Sequence, residues 1–187
     1  MKKQFLVAVL LFAVVAGAFF ALRNKSKENI ETVVQPSPSP AASSFRGIVP
    51  GTSLDADVIA VLGKPIRKDT AGDQASSLIY ASGIEKRPLN IDVGASGVVA
   101  RIIEPFSSTS QFSRMSVGLG GPDLTLFGLF EKQGFRLFVY LTRGIALLAN
   151  PTTDALKERW YFQPTSPDDF LRNIAPGLTT QNTEGQQ

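Results

Sequence analysis

The fold is decided by the stretch that runs Ile48-Val-Pro-Gly51-Thr-Ser-Leu-Asp-Ala-Asp-Val-Ile-Ala-Val-Leu-Gly63-Lys-Pro65. Its apolar residues recur at helical spacing and predict one buried helix face, formed by Leu54, Val58, Val61 and Leu62. Thr52 with Asp55, or Ser53 alone, is a suitable N-terminal cap. Gly63 predicts a left-handed C-terminal cap, and Pro65 prevents any continuation. The stretch therefore predicts a short amphipathic helix with both ends marked.

Three strand-like runs follow this helix, and three more occur later in the chain. The first three are 77–81, 88–93 and 98–104, with a turn at Ala95-Ser-Gly97 between the last two. Residues 123–132 predict a second helix, and the runs 136–141, 145–149 and 156–162 follow it. Matching residues recur about 60 positions apart, which is typical of a duplication: Ile79-Tyr80 and Val139-Tyr140, Gly83 and Gly144, Pro105 and Pro164. We therefore predict an α+β domain of two tandem helix-plus-antiparallel-sheet repeats, 46–105 and 118–175.

The first repeat carries a pattern of glycines and apolar residues that is similar to a known family. The residues are Ile48, Gly51-Thr52, Val58, Leu62-Gly63, Pro65, Tyr80 and the hairpin end Gly97-Val-Val-Ala-Arg-Ile102. Together they resemble the repeat of β-lactamase-inhibitor-protein-like domains, which is shared with the small outer-membrane lipoprotein of the β-barrel assembly machinery. The resemblance covers residues 46–105 and, more loosely, 118–164. It implies a binding or assembly module of the cell envelope. The lipid-bearing cysteine of that lipoprotein is missing here, because the chain contains no cysteine.

The N-terminus is an unbroken apolar run from Phe5 to Leu22 between flanking lysines and arginines. As a helix, the run spans about 27 Å, close to the thickness of a bilayer core. It predicts a signal anchor, residues 1–22, that holds a single-pass membrane protein with its C-terminal domain outside the cytoplasm. One alternative is a signal peptide cleaved after Ala18, which leaves a secreted or periplasmic protein. Another is a buried core helix.

The segments on either side of the domain are polar. Residues 23–45 contain Gln35-Pro-Ser-Pro-Ser-Pro40 and predict an extended Pro/Ser-rich linker. Residues 178–187 show no apolar period and predict a disordered tail. The folded domain is therefore expected between residues 46 and 177.

Composition excludes several classes of function. With no histidine and no cysteine, the chain has no Ser-His-Asp or Cys-His nucleophile and no Cys/His zinc site. Residues 46–177 contain 14 Lys/Arg against 13 Asp/Glu, so the domain lacks the basic excess that binding nucleic acid requires. The glycines at 118, 120 and 121 do not follow the spacing of a phosphate-binding loop. The carboxylate pairs Asp55/Asp57 and Asp168/Asp169 are expected to cap helices.

These observations predict a non-catalytic module, without cofactor or metal, that binds a protein or another component of the envelope. In the second repeat both sheet faces are apolar, with Phe138 and Tyr140 opposite Leu137, Val139 and Leu141. Either the first half covers the aromatic face, or that face binds a partner through Phe138, Tyr140 and Tyr161. The alternative functions are an unfamiliar enzyme that uses carboxylates only, and a structural subunit of a membrane complex.

Overall fold

A computed structural model describes residues 42–70, 75–84, 86–128 and 130–180, which belong to the compact unit Pro40–Gln187. The predicted anchor 1–22 and most of the linker lie outside the described residues, as does all but the start of the tail. Among the described residues, no helix is long and apolar enough to cross a membrane.

The domain is built on one antiparallel sheet of eight strands in the order β1-β2-β3-β4-β8-β7-β6-β5. The strands are β1 Arg67–Thr70, β2 Ser76–Tyr80, β3 Leu89–Val93, β4 Val99–Pro105, β5 Leu124–Leu126, β6 Arg136–Tyr140, β7 Ile145–Asn150 and β8 Ala155–Phe162. Each half of the chain forms a four-stranded meander. The two meanders join where β4 pairs with β8, with Ile102 opposite Tyr161 and Ile103 opposite Trp160. The predicted α+β class is confirmed, and all six predicted strands occur within about two residues of their expected ends.

The first predicted helix is also confirmed, as α1 Asp55–Leu62, but both of its ends differ from expectation. Leu54 occupies the N-cap position, and its N–H donates to Oδ2 of Asp57 at 2.8 Å. The Ser53 hydroxyl instead accepts from Val49 N, so it is occupied within the preceding turn. Gly63 has the positive φ that was predicted, +80°, but its ψ of −165° is extended rather than left-handed helical.

The predicted helix over residues 123–132 is wrong. This segment forms β5, then a turn, and then a single 3₁₀ turn, Glu131–Gln133, that ends at Gly134. Leu124 and Leu126 lie opposite Val139 and Leu137 of β6, so their two-residue spacing matches a strand rather than a helix. The helix of this half, α2 Phe112–Ser116, instead lies before β5 in the chain.

Both short helices lie on the same face of the sheet. Val58 of α1 is fully buried against a core that includes Leu78, Ile91 and Ile102. On the neighbouring strands of this face, Phe138 stacks on Phe112 of α2 with ring centroids 4.7 Å apart. The aromatic face of the second meander is therefore covered by the segment between the two halves, and not by the first meander.

A C-terminal helix covers the opposite face of the second meander. It begins as α3 Pro167–Asp169 and continues as a π-helical turn, Phe170–Ile174. Ser166 caps it by accepting from Asp169 N at 3.2 Å, and Pro167 stands in the first turn, as helix starts favour. The ring of Phe170 is fully buried and lies 4.7 Å from that of Phe162. Both faces of the second meander are thus largely covered by short helices of the domain itself.

Candidate binding surface

The three residues predicted to contact a partner are not all accessible. Tyr140 and Tyr161 are only 3% and 4% exposed, and Phe138 is half-buried under Phe112. Tyr140 and Phe138 belong to the cluster under α2, whereas Tyr161 belongs to the core under α1. A partner role for these residues stays a prediction, and the surface described below is formed by other residues.

Tyr161 belongs to a polar network where the two meanders join. Its hydroxyl donates to Oε2 of Glu104 at 2.9 Å, and Arg159 donates to the same oxygen through Nε and Nη2 at 3.1 and 2.7 Å. Burial raises the pKa of the Tyr161 hydroxyl, and the positive charge of Arg159 lowers it by a smaller amount. Because Glu104 lies on β4 and the other two residues on β8, the network ties the two halves together.

The other carboxylates are also explained by structure. Asp55 and Asp57 lie in the first turn of α1, and Asp168 and Asp169 lie in the first turn of α3, where a helix favours negative charge. Asp57 also accepts from the backbone N–H of Leu54, and Asp169 accepts from the hydroxyl of Ser166, the residue that caps α3. Just after the glycines at 118, 120 and 121, Asp123 accepts from the N–H of Leu141 at 2.6 Å. Among the described residues, no group of three or more acidic side chains is placed to hold a metal ion.

Large apolar residues are exposed on more than one side of α1 and just after it, which the amphipathic pattern did not predict. Four large apolar residues are exposed here: Leu54 by 46%, Ile59 by 44%, Val61 by 51% and Ile66 by 71%. We call these four residues the α1 surface. The expectation that Leu54 and Val61 share the buried face with Val58 is wrong, because only Val58 is fully buried.

The arrangement follows from the composition of the helix. Ile59, Ala60 and Val61 are consecutive, so they point to three sides of a helix that turns about 100° per residue, and all three are exposed. A helix that is apolar on every side is normally buried. The sequence contained a signal for this, since residues 58–62 include no polar residue, but the predicted buried face contained only three of these five residues.

The α1 surface is bordered by charges of both signs. Asp55 and Asp57 stand at the N-terminal end of α1, and Lys64, Arg67 and Lys68 follow its C-terminal end. Nζ of Lys68 lies 3.9 Å from Asp55, with both side chains largely exposed. An apolar centre with a mixed polar rim is the usual composition of a protein interface.

No protein-family model matches the chain, and no curated protein sequence matches it. Two solved structures are similar to it. The crystal structure of a DUF4309 family protein (YjgB) from Bacillus subtilis has a TM-score of 0.47 at 14% identity, over 67% of this chain and 88% of that one. An extracellular protein containing a SCP domain from Bacillus anthracis has a TM-score of 0.45 at 11% identity, over 78% of this chain and 53% of that one.

Proposed function

We propose that the chain is a non-catalytic binding module, anchored in a membrane by residues 1–22, that recognises a protein of the cell envelope outside the cytoplasm. The observation that carries this proposal is the α1 surface. Monomeric soluble domains rarely expose large apolar residues together, and those that do so usually use them to bind.

The charges around the α1 surface favour a protein partner over a lipid surface. An anionic membrane attracts clustered lysines and arginines, but it repels the carboxylates of Asp55 and Asp57, and Lys68 already lies 3.9 Å from Asp55. A protein can match both signs along its own rim. The near-neutral charge of residues 46–177 likewise gives no general attraction to anionic polymers.

The rest of the chain fits a module displayed at a distance from the membrane. The 19 residues from Arg23 to Ala41 include three prolines and, if extended, span about 60 Å. The two meanders also agree with a duplicated repeat, as the resemblance to β-lactamase-inhibitor-protein-like domains implies. That resemblance is a second, weaker support for a binding role.

The proposal can be tested by site-directed photo-crosslinking in intact cells. A photoreactive amino acid in place of Leu54, which lies two helical turns before Val61 on the same side of α1, should give a discrete adduct with one protein. Val61→Asp should reduce that adduct, because a charge in the centre of an interface costs about 2 kcal/mol or more. Val117→Asp is the matched control: Val117 is 79% exposed and follows α2, outside the α1 surface.

Two outcomes would contradict the proposal. If no adduct forms at Leu54, or if Val117→Asp reduces the adduct as strongly as Val61→Asp, the α1 surface is not the binding site. The anchor is tested separately, by sequencing the N-terminus of the mature protein. A soluble protein that begins at Phe19 would show cleavage after Ala18 and refute the anchor.

A further inference from the structure

The second meander contains an apolar cavity on the sheet face that is remote from the α1 surface. Its volume is about 180 Å³, and its principal lining residues are Leu126, Phe127, Phe130, Phe135, Trp160 and Leu178. Four of these six side chains are aromatic. We call it the Trp160 cavity.

The walls of the Trp160 cavity are held in place by main-chain contacts. Phe127 N donates to Thr179 O at 2.7 Å, and Thr179 N donates back to Phe127 O at 3.1 Å, so the C-terminal segment is fixed beside the end of β5. The Leu178 side chain lies directly against the backbone of Gly128, where a Cβ would overlap it. The cavity is thus bounded by a sheet on one side and a tied segment on the other.

The Trp160 cavity is partly open to solvent, so it is a cleft that a ligand can enter rather than a sealed void. Ligand sites are commonly concave and mostly apolar, with a few polar groups at fixed positions. An apolar space of about 150 Å³ is large enough to accept benzene. The Trp160 cavity therefore has room for an apolar group of about six carbon atoms.

Two cationic side chains lie against aromatic rings that line the cavity. The guanidinium carbon of Arg136, which also lines the cavity, lies 5.3 Å from the centre of the Phe127 ring. Nζ of Lys157 lies 3.8 Å from the centre of the Phe130 ring. Among the described residues, Arg136 lies in no ion pair, whereas Lys157 interacts electrostatically with the neighbouring carboxylate of Glu158. Glu158, the next residue after Lys157, already accepts from the indole N–H of Trp160 at 2.9 Å.

We propose that the Trp160 cavity binds a small amphiphilic carboxylate, whose apolar group of about six carbons enters between the aromatic side chains while its carboxylate faces Arg136. The aromatic lining favours a ring over a linear chain, because aromatic pairs gain energy beyond simple burial. Arg136 supplies a planar set of donors that fits a carboxylate in a bidentate manner. This site is separate from the α1 surface, so either proposal can fail without the other.

The only tryptophan of the chain provides a direct measurement. The full-length protein in neutral detergent micelles is titrated with phenylacetate, and the fluorescence of Trp160 is followed. We expect saturable binding with a Kd on the order of 1 mM or lower. Phenethylamine, which has the same ring and the opposite charge, should bind at least about tenfold more weakly. Equal affinity for the two ligands, or no saturation of the folded protein at about 10 mM, would refute the proposal.

Two variants locate the site. Leu178→Phe should fill the cavity and weaken phenylacetate binding at least about tenfold. Arg136→Gln should remove the preference for phenylacetate over phenethylamine, whereas Arg143→Gln, at an exposed arginine in the turn after β6, should keep it. If Leu178→Phe binds phenylacetate as the native protein does, the ligand lies elsewhere. If Arg136→Gln retains the preference, Arg136 does not contact the carboxylate. The comparison of the two ligands on the native protein does not depend on whether a variant folds.

Discussion

Gly144 is the position where a single added methyl group should be most damaging to the second meander. It follows the 3₁₀ turn Leu141–Arg143 in a left-handed conformation, with φ 64° and ψ 34°. Its carbonyl accepts from Phe162 N at 3.0 Å, so the turn lies directly against the end of β8. A Cβ at this position would overlap the carbonyl oxygen of Phe162 and stand 3.2 Å from Cδ of Pro164. Gly144→Ala therefore introduces both backbone strain and a steric clash.

The size of each effect can be estimated separately. A residue with a side chain in the left-handed region costs about 1 kcal/mol relative to glycine. Overlap with a backbone atom that cannot move aside adds about 1–3 kcal/mol. Gly144→Ala should therefore lower the free energy of unfolding by about 3 kcal/mol. Gly97→Ala is the control, because Gly97 has a φ of +79° but an added Cβ meets no atom within 4 Å. It should cost about 1 kcal/mol.

Urea unfolding followed by the fluorescence of Trp160 measures both variants. With a slope of about 2 kcal/mol per molar urea, the midpoints of the two variants should differ by about 1 M. An unchanged slope would indicate that the difference lies in native stability. If the midpoints coincide, the close approach of Gly144 to Phe162 has no energetic consequence, and the reasoning is wrong.

Three further predictions concern the ends and the core of the domain. Gly63→Val should destabilise it by about 1–3 kcal/mol in the same urea assay, because φ +80° with ψ −165° is a region reserved for glycine; an unchanged midpoint would show that α1 does not end there. Phe138→Ala should cost about 2–3 kcal/mol, somewhat less than a fully buried phenylalanine, and a loss below about 1 kcal/mol would indicate that its face is open. All three tyrosines of the chain are buried, and burial raises the pKa of each. The unfolded chain releases these protons near pH 10 and the folded chain only at higher pH, so stability should fall as the pH rises past about 10. Absorbance of tyrosinate that appears in the folded protein already at that pH would contradict this.

The sequence predicts a strand or helix where apolar and polar residues alternate, or where a glycine or proline marks the end of the element. Residues 89–93 alternate between Leu, Ile, Val and polar residues, and they form β3 with every second side chain buried. By contrast, β1 reads Arg-Lys-Asp-Thr and is exposed throughout, so no hydrophobic period reveals it. Such a strand forms because its backbone pairs with the neighbouring strand β2, and a purely polar run carries no side-chain pattern that reveals this pairing.

The candidate site was harder to predict, for a related reason. Val58 and Val61 are both apolar and both fit the helical period, but only Val58 meets the sheet. The way the helix lies on β2, β3 and β4 decides which side of α1 is buried. The sequence of the eight-residue helix does not contain that information. The cover of the aromatic sheet face was missed because the residues of α2 are separated from Phe138 by a glycine-rich loop.

The junction between β4 and β8 has a consequence for how the domain can be divided. Tyr161 comes from the last strand of the chain, yet it completes the core under α1 and lies 5.8 Å from the ring of Phe45. A truncation before β8 would therefore open the core of the first meander, at the opposite end of the sequence. We infer that neither half can become stable before β8 has been synthesised. During that interval an incomplete chain exposes β4 as an unpaired strand edge, which makes the nascent protein dependent on rapid completion or on chaperones.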